Sequence, residues 1–139
     1  MSEAPDESLA LATRGGLPPA HLYLRDAFPR ERWTTSGLHP TARRWLHMHE
    51  GFRTHQGEMG TLIETWRADA IDVRALHRAL IPALQQFLQH LDGHHRIESG
   101  HYFPALRQLE PRIAAGIALL DRDHDAIHAH IEAMVAAGP

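Results

Sequence analysis

From Thr41 onward the apolar residues recur three and four positions apart, the spacing of one face of an α-helix. Trp45, Met48, Phe52, Met59, Ile63 and Trp66 form a first stripe, with Thr41 as its expected N-cap and an end near residues 67–69. Asp72 is the expected cap of a second helix, whose stripe is Leu76, Leu80, Leu84, Phe87 and Leu91. At about 100° per residue these five fall within a sector of about 80°. Pro82 and Pro104 each remove a backbone donor from that helix, so bends are expected there, and it should end near Glu110, before Pro111. Pro111 suits the first turn of a third helix with the stripe Ile113, Ile117, Leu120, Ile127, Ile131 and Val135.

Residues 1–40 break this pattern. Gly15-Gly16, Pro18-Pro19, Pro29, Gly37 and Pro40 punctuate a stretch of mixed polarity. It reads as an irregular arm with a short helix near residues 21–28, packed down through Leu22, Tyr23, Phe28 and Trp33. Strand signals are absent. The expected class is all-α, with an N-terminal arm over 1–40 and a helical domain over 41–139.

Composition then narrows the chemistry. The 139 residues include 13 histidines and no cysteine. Disulfides, thiolate zinc sites, iron–sulfur clusters and cysteine nucleophiles are therefore excluded. The formal charge of −3 shows no basic excess, which argues against nucleic acid as a partner. No apolar run approaches a membrane span and no signal-peptide pattern is present, so a cytoplasmic protein without a membrane partner is expected. Lys and Asn are both absent, a bias that fits a GC-rich bacterial genome.

The histidines are not scattered. His94, Glu98 and His101 are spaced i, i+4, i+7, and they continue the apolar stripe of the second helix. A carboxylate at the centre of an apolar stripe is costly to bury alone, so Glu98 needs a proton, a cationic partner or a metal. Imidazole and carboxylate on one face suit iron, zinc or manganese. The competing reading is a metal-free, hydrogen-bonded His–Glu–His cluster. On the third helix, His124 lies at the centre of the stripe and His128 about 40° to one side. Asp121 and Glu132 flank this pair as further ligands or supporting groups. Inward His and Glu from several helices are how bundle di-iron sites are built.

The first helix offers His49, about 80° from its stripe centre, and His55, nearer the centre between Phe52 and Met59. Geometry ranks His55 higher and leaves both as candidates. His47 and His130 face outward, and His77 and His95 share an edge of the second helix. No HExxH, GxGxxG or P-loop is present, no serine sits in a nucleophile elbow, and enzymatic activity has no specific support.

The run His94-His95-x-x-Glu98 followed by Tyr102-Phe103-Pro104-Ala105-Leu106, then Glu110-Pro111 and Asp123-His124-x-x-Ile127, resembles the hemerythrin-like (HHE cation-binding) domain. Met48-His49-Glu50-Gly51-Phe52-Arg53 resembles that family's opening ligand segment. The resemblance spans roughly residues 39–136. It implies a four-helix bundle holding a carboxylate-bridged non-heme di-iron site that binds or senses O2 or related small oxidants. Carried over, it makes His49 the first-helix ligand, His94 and Glu98 the second-helix pair with Glu98 bridging, and His124 and His128 the third-helix ligands. Two departures stand out. Ser99 occupies a place where the family often has a second acid, and the family's usual fourth helix, with a further His and carboxylate, is not seen. The arm, a second copy of the chain in a homodimer, or a further helix is expected to cover the open face. The alternative is a metal-dependent regulatory or interaction module with a mononuclear or structural site.

Overall fold

The computed structural model describes residues 6–33 and 37–137. Residues 1–5 and 34–36 of the expected arm lie outside the described residues. Every regular element among the described residues is helical, as the periodicity predicts. Three long helical runs follow residue 40, preceded by short N-terminal turns. None of these helices is long and apolar enough to cross a membrane. The chain divides into two compact units, residues 34–94 and residues 1–33 with 95–139.

The unit of residues 34–94 is a helical hairpin. Helix α2 (Pro40–Arg67) starts at Pro40, one residue ahead of the expected cap, because the Thr41 N–H donates to Nδ1 of His39 at 3.2 Å. (The short helix Tyr23–Ala27 is α1.) α2 ends where Asp69 takes a left-handed φ of 55°, a conformation that Asp tolerates better than most residues. Asp72 then caps α3 (Val73–Ile97) as expected, its Oδ1 accepting from the Ala75 N–H at 2.7 Å. α3 runs through Pro82. Phe52 meets Phe87 edge-to-face at 5.9 Å and His49 meets His94 at 4.9 Å, so the two helices run antiparallel. Their stripes face inward: Met59 and Leu88 are buried, and Trp45, Phe52, Leu84, Phe87 and Leu91 are half-buried.

In the other unit the second helical run does not stay α-helical. Residues Glu98–Tyr102 form a π-turn, closed by the Phe103 N–H donating to the carbonyl of Glu98 five residues back. The cause lies at Pro104. Proline has no N–H for the carbonyl of Gly100, its i−4 partner, and its ring would clash with that carbonyl in a regular helix. A wider turn moves the carbonyl away. α4 (Phe103–Leu109) follows, then a 3-10 turn at Pro111–Ile113 and α5 (Ala114–Ala137). Phe103 stacks on His124 while Arg107 pairs with Asp121, so α4 and α5 are also antiparallel.

The arm docks along one face of α5 and its leading turn. Arg112 lies over the Tyr23 ring at 5.0 Å, His21 faces Gly116, and Arg14 donates to both carboxylate oxygens of Asp123 at 2.7 and 2.6 Å. Positions 112, 116, 119 and 123 share a helical face. This explains why Leu119, at 6% exposure, is buried while the expected stripe member Leu120 is 43% exposed. Docking runs through Arg14, His21 and Tyr23 rather than through Phe28, which is exposed. Trp33 donates its indole N–H to the Phe28 carbonyl within the arm itself.

The Arg14–Asp123 pair is shielded, with side chains 18% and 10% exposed. Arg14→Met leaves the Asp123 carboxylate without its bidentate partner, and removing one partner of a buried pair costs about 3 kcal/mol. Urea denaturation of Arg14→Met should show a loss of that order. The double variant Arg14→Met/Asp123→Leu should recover much of it.

Candidate metal centre

His94 is 8% exposed and Glu98 5% exposed, one turn apart on a continuous helical run. On α2, His49 brings its Nε2 to 3.2 Å from Nε2 of His94. Phe52 packs its ring 5.2 Å from the His94 ring and touches Phe87 on its other contact, which gives His94 an apolar wall. His49, His94 and Glu98 are the one group of three or more ligand-type side chains, among the described residues, placed closely enough to hold a metal ion. His94 joins them: it meets His49 within the hairpin and Glu98 along its own helix.

The spacing of the two imidazoles has a chemical meaning. Nitrogens bind a borderline divalent metal at about 2.1 Å, so two at right angles on one ion stand about 3 Å apart. A separation of 3.2 Å serves either a shared proton or a shared cation without rearrangement.

Beyond the π-turn's first residue lies a second set of contacts. Nε2 of His124 is 3.3 Å from Oε2 of Glu98, and Nδ1 of His124 is 3.0 Å from the Ser99 hydroxyl. The His95 ring stacks on His124 at 4.0 Å and 13°, and the Phe103 ring at 5.3 Å and 21°. His95, Ser99 and Phe103 are four residues apart in turn. An unbroken α-helix would let the third drift about 80° from the first. The π-turn carries more residues per turn and brings Phe103 back toward that line.

The same turn moves His101 away. The α-helical register puts His101 on the inner face with Glu98; the structure places Phe103 there, 4% exposed, and leaves His101 exposed against the edge of Tyr102 at 5.2 Å. His55 is exposed and lines a cavity of about 310 Å³ with Phe52, Met59, Leu62, Phe87 and His90, away from His94. His128 is exposed and paired with Glu132 at 3.2 Å. Asp121 is held by Arg107 and Asp123 by Arg14. Of the seven histidine and glutamate candidates, His49, His94 and Glu98 form one group, His124 contacts Glu98, and His128 pairs with Glu132. Ser99, Arg14 and Asp123 carry contacts that hydropathy spacing does not announce. For the π-turn a signal was present, in Gly100 and Pro104 directly after Glu98.

Burial pushes the Glu98 carboxyl up from an ordinary value of 4.5 to about 7. The folded, metal-free protein therefore holds the Glu98 proton more tightly than the unfolded chain does. The resulting stabilisation is full below about pH 4.5 and is lost as pH rises through 7. Chelator-treated wild type should lose stability relative to Glu98→Gln as pH is raised from 4.5 to 7.5, as read by urea denaturation at each pH. Parallel stability curves for the two proteins would contradict this origin of the shift.

A family model described as the hemerythrin HHE cation binding domain matches residues 41–138. No curated protein and no solved structure gives a match. The family match takes in α2 to α5 and every residue of the His49/His94/Glu98 cluster, well over half of the sequence, and on that ground the chain belongs to the hemerythrin HHE cation-binding domain family.

Proposed function

We propose that this domain binds non-heme iron at Glu98 and uses it to bind or sense O2 or a related small oxidant. The observation that carries the reading is the position of the Glu98 carboxylate. It is buried, with His94 one turn before it and Nε2 of His124 3.3 Å from one of its oxygens. A carboxylate placed between imidazoles can bridge two cations. His49 and His94 would hold one iron and His124 the other, with Glu98 shared. Iron so held supplies reversible redox chemistry at coordination positions that the protein leaves open. The chain's own contribution is to fix the donors and to bury His94 and Glu98, with His49 at the exposed edge of the group. Phe52, backed by Phe87, packs on His94, and Phe103 packs on His124.

One observation favours a second reading. The His49/His94/Glu98 group is a two-histidine, one-carboxylate set, and such a set with open positions suits a single ferrous ion. In that case His124 is a partner of Glu98 and not a ligand, and the domain is a mononuclear regulatory module. Where donors are too few for two irons, a second copy of the chain could complete the set.

Metal analysis separates these readings. Protein grown with iron and carrying no affinity tag should hold about two irons per chain, with absorption bands that change on exposure to air. About one iron supports the mononuclear reading, and no iron overturns both. Glu98→Ala should abolish iron retention while the far-ultraviolet circular dichroism stays that of wild type. Retained iron in that variant would remove Glu98 from the centre.

A further inference from the structure

We infer that Ser99 is a positioning residue for the metal centre, its hydroxyl holding the Nδ1 side of His124 so that Nε2 is presented toward Glu98 as a bare donor. This rests on the metal-binding reading above. A neutral imidazole has one N–H and one lone pair, and whichever nitrogen takes a metal obliges the other to carry the proton. That N–H needs an acceptor, and the partner it finds fixes both tautomer and ring orientation. Ser99 Oγ stands 3.0 Å from Nδ1 of His124, and Oε2 of Glu98 stands 3.3 Å from Nε2. The two ring nitrogens therefore have distinct partners from adjacent residues of one helical turn. A hydroxyl both donates and accepts, so it can accept the hydrogen bond from Nδ1–H without adding charge.

The ring is also constrained in tilt. His95 and Phe103 lie nearly parallel to it, at 13° and 21°. Rotation about the remaining side-chain torsion would break both stackings and the Ser99 contact together. Ser99 shares with them the strip of helix that the π-turn brings into line. Its hydroxyl contact is thus one part of a built cradle for a single imidazole.

The test uses the full chain and zinc, a diamagnetic probe that accepts the same imidazole and carboxylate donors. Affinity is read by competition with a chelator, and the His124 ring nitrogens by nitrogen-15 NMR of the zinc-loaded protein. Wild type should show His124 bound through Nε2, with a slowly exchanging Nδ1–H. Ser99→Ala, a change that favours helix, should keep the circular dichroism of wild type. It should weaken zinc binding about 10- to 100-fold, the usual effect of losing a group that supports a ligand, and its Nδ1–H should exchange fast. Ser99→Thr, which restores a hydroxyl, should return both properties close to wild type. Unchanged affinity in Ser99→Ala, a Ser99→Thr as weak as Ser99→Ala, or a wild-type His124 bound through Nδ1 would each overturn the inference. Glu98→Ala measured alongside separates the two levels. Loss of zinc there with none in Ser99→Ala overturns the role of Ser99 alone, and failure of wild type to bind zinc overturns the metal reading with it.

Discussion

The missing backbone donor of Pro104 governs the site. A regular α-helix through Pro104 would lose the bond to the Gly100 carbonyl and crowd it, and the π-turn at Glu98–Tyr102 relieves that misfit. The consequence is rotational. Residues before the turn keep the register that places His94 and Glu98 one above the other, and residues after it are held back, so that Phe103 takes the inner face that His101 would otherwise occupy. An apolar ring stands where the α-helical register would put the His101 imidazole. Local π-turns inside α-helices recur at functional sites because they re-aim one or two side chains at the cost of a few hydrogen bonds. Here the re-aimed group is the wall of the His124 cradle.

A buried carboxylate then sets the chemistry. Glu98 is buried and has the His124 imidazole against one of its oxygens. Imidazole can relieve a buried carboxylate by taking a proton, or both can be relieved together by a cation. Burial, which penalises the charged form, raises the Glu98 carboxyl to about 7. Asp123, buried on α5 next to His124, shows the opposite solution. Arg14 neutralises it with two short hydrogen bonds, and the arm is latched to the helix as a result. Two buried acids thus have different surroundings: Asp123 is held by the arginine of the arm, and Glu98 belongs to the His49/His94/Glu98 group.

Much of this is legible in the sequence. The helices follow from the stripes, and Asp72 caps α3 as its position predicts. His94 and Glu98 stand out because they extend an apolar stripe, which is a property of one helix alone. His101 was misplaced for a local reason, since a uniform 100° rotation cannot represent the turn that Pro104 imposes. Leu120 was misplaced for a non-local one. The burial of the opposite edge at Leu119 depends on an arm 100 residues away in sequence, anchored by an arginine in a segment with no periodicity to read.

The choice between His49 and His55 exposes a different limit. A helical wheel measures angle and ignores height. His55 has the better angle, but it lies six residues along α2 from His49, about 9 Å of helix axis. Which height matters is decided by the antiparallel pairing of α2 with α3, and that pairing is set by contacts such as Phe52 with Phe87 rather than by the histidines. Once Phe52 sits against Phe87, a side chain near the edge of the stripe at position 49 reaches Nε2 of His94, while position 55 falls beside the cavity. An edge position of a stripe can therefore make the contact between two helices that a central position does not, as His49 does with His94. A residue at the centre points into the space between helices, whereas one at the edge can reach along the flank to a side chain that its partner helix also carries there.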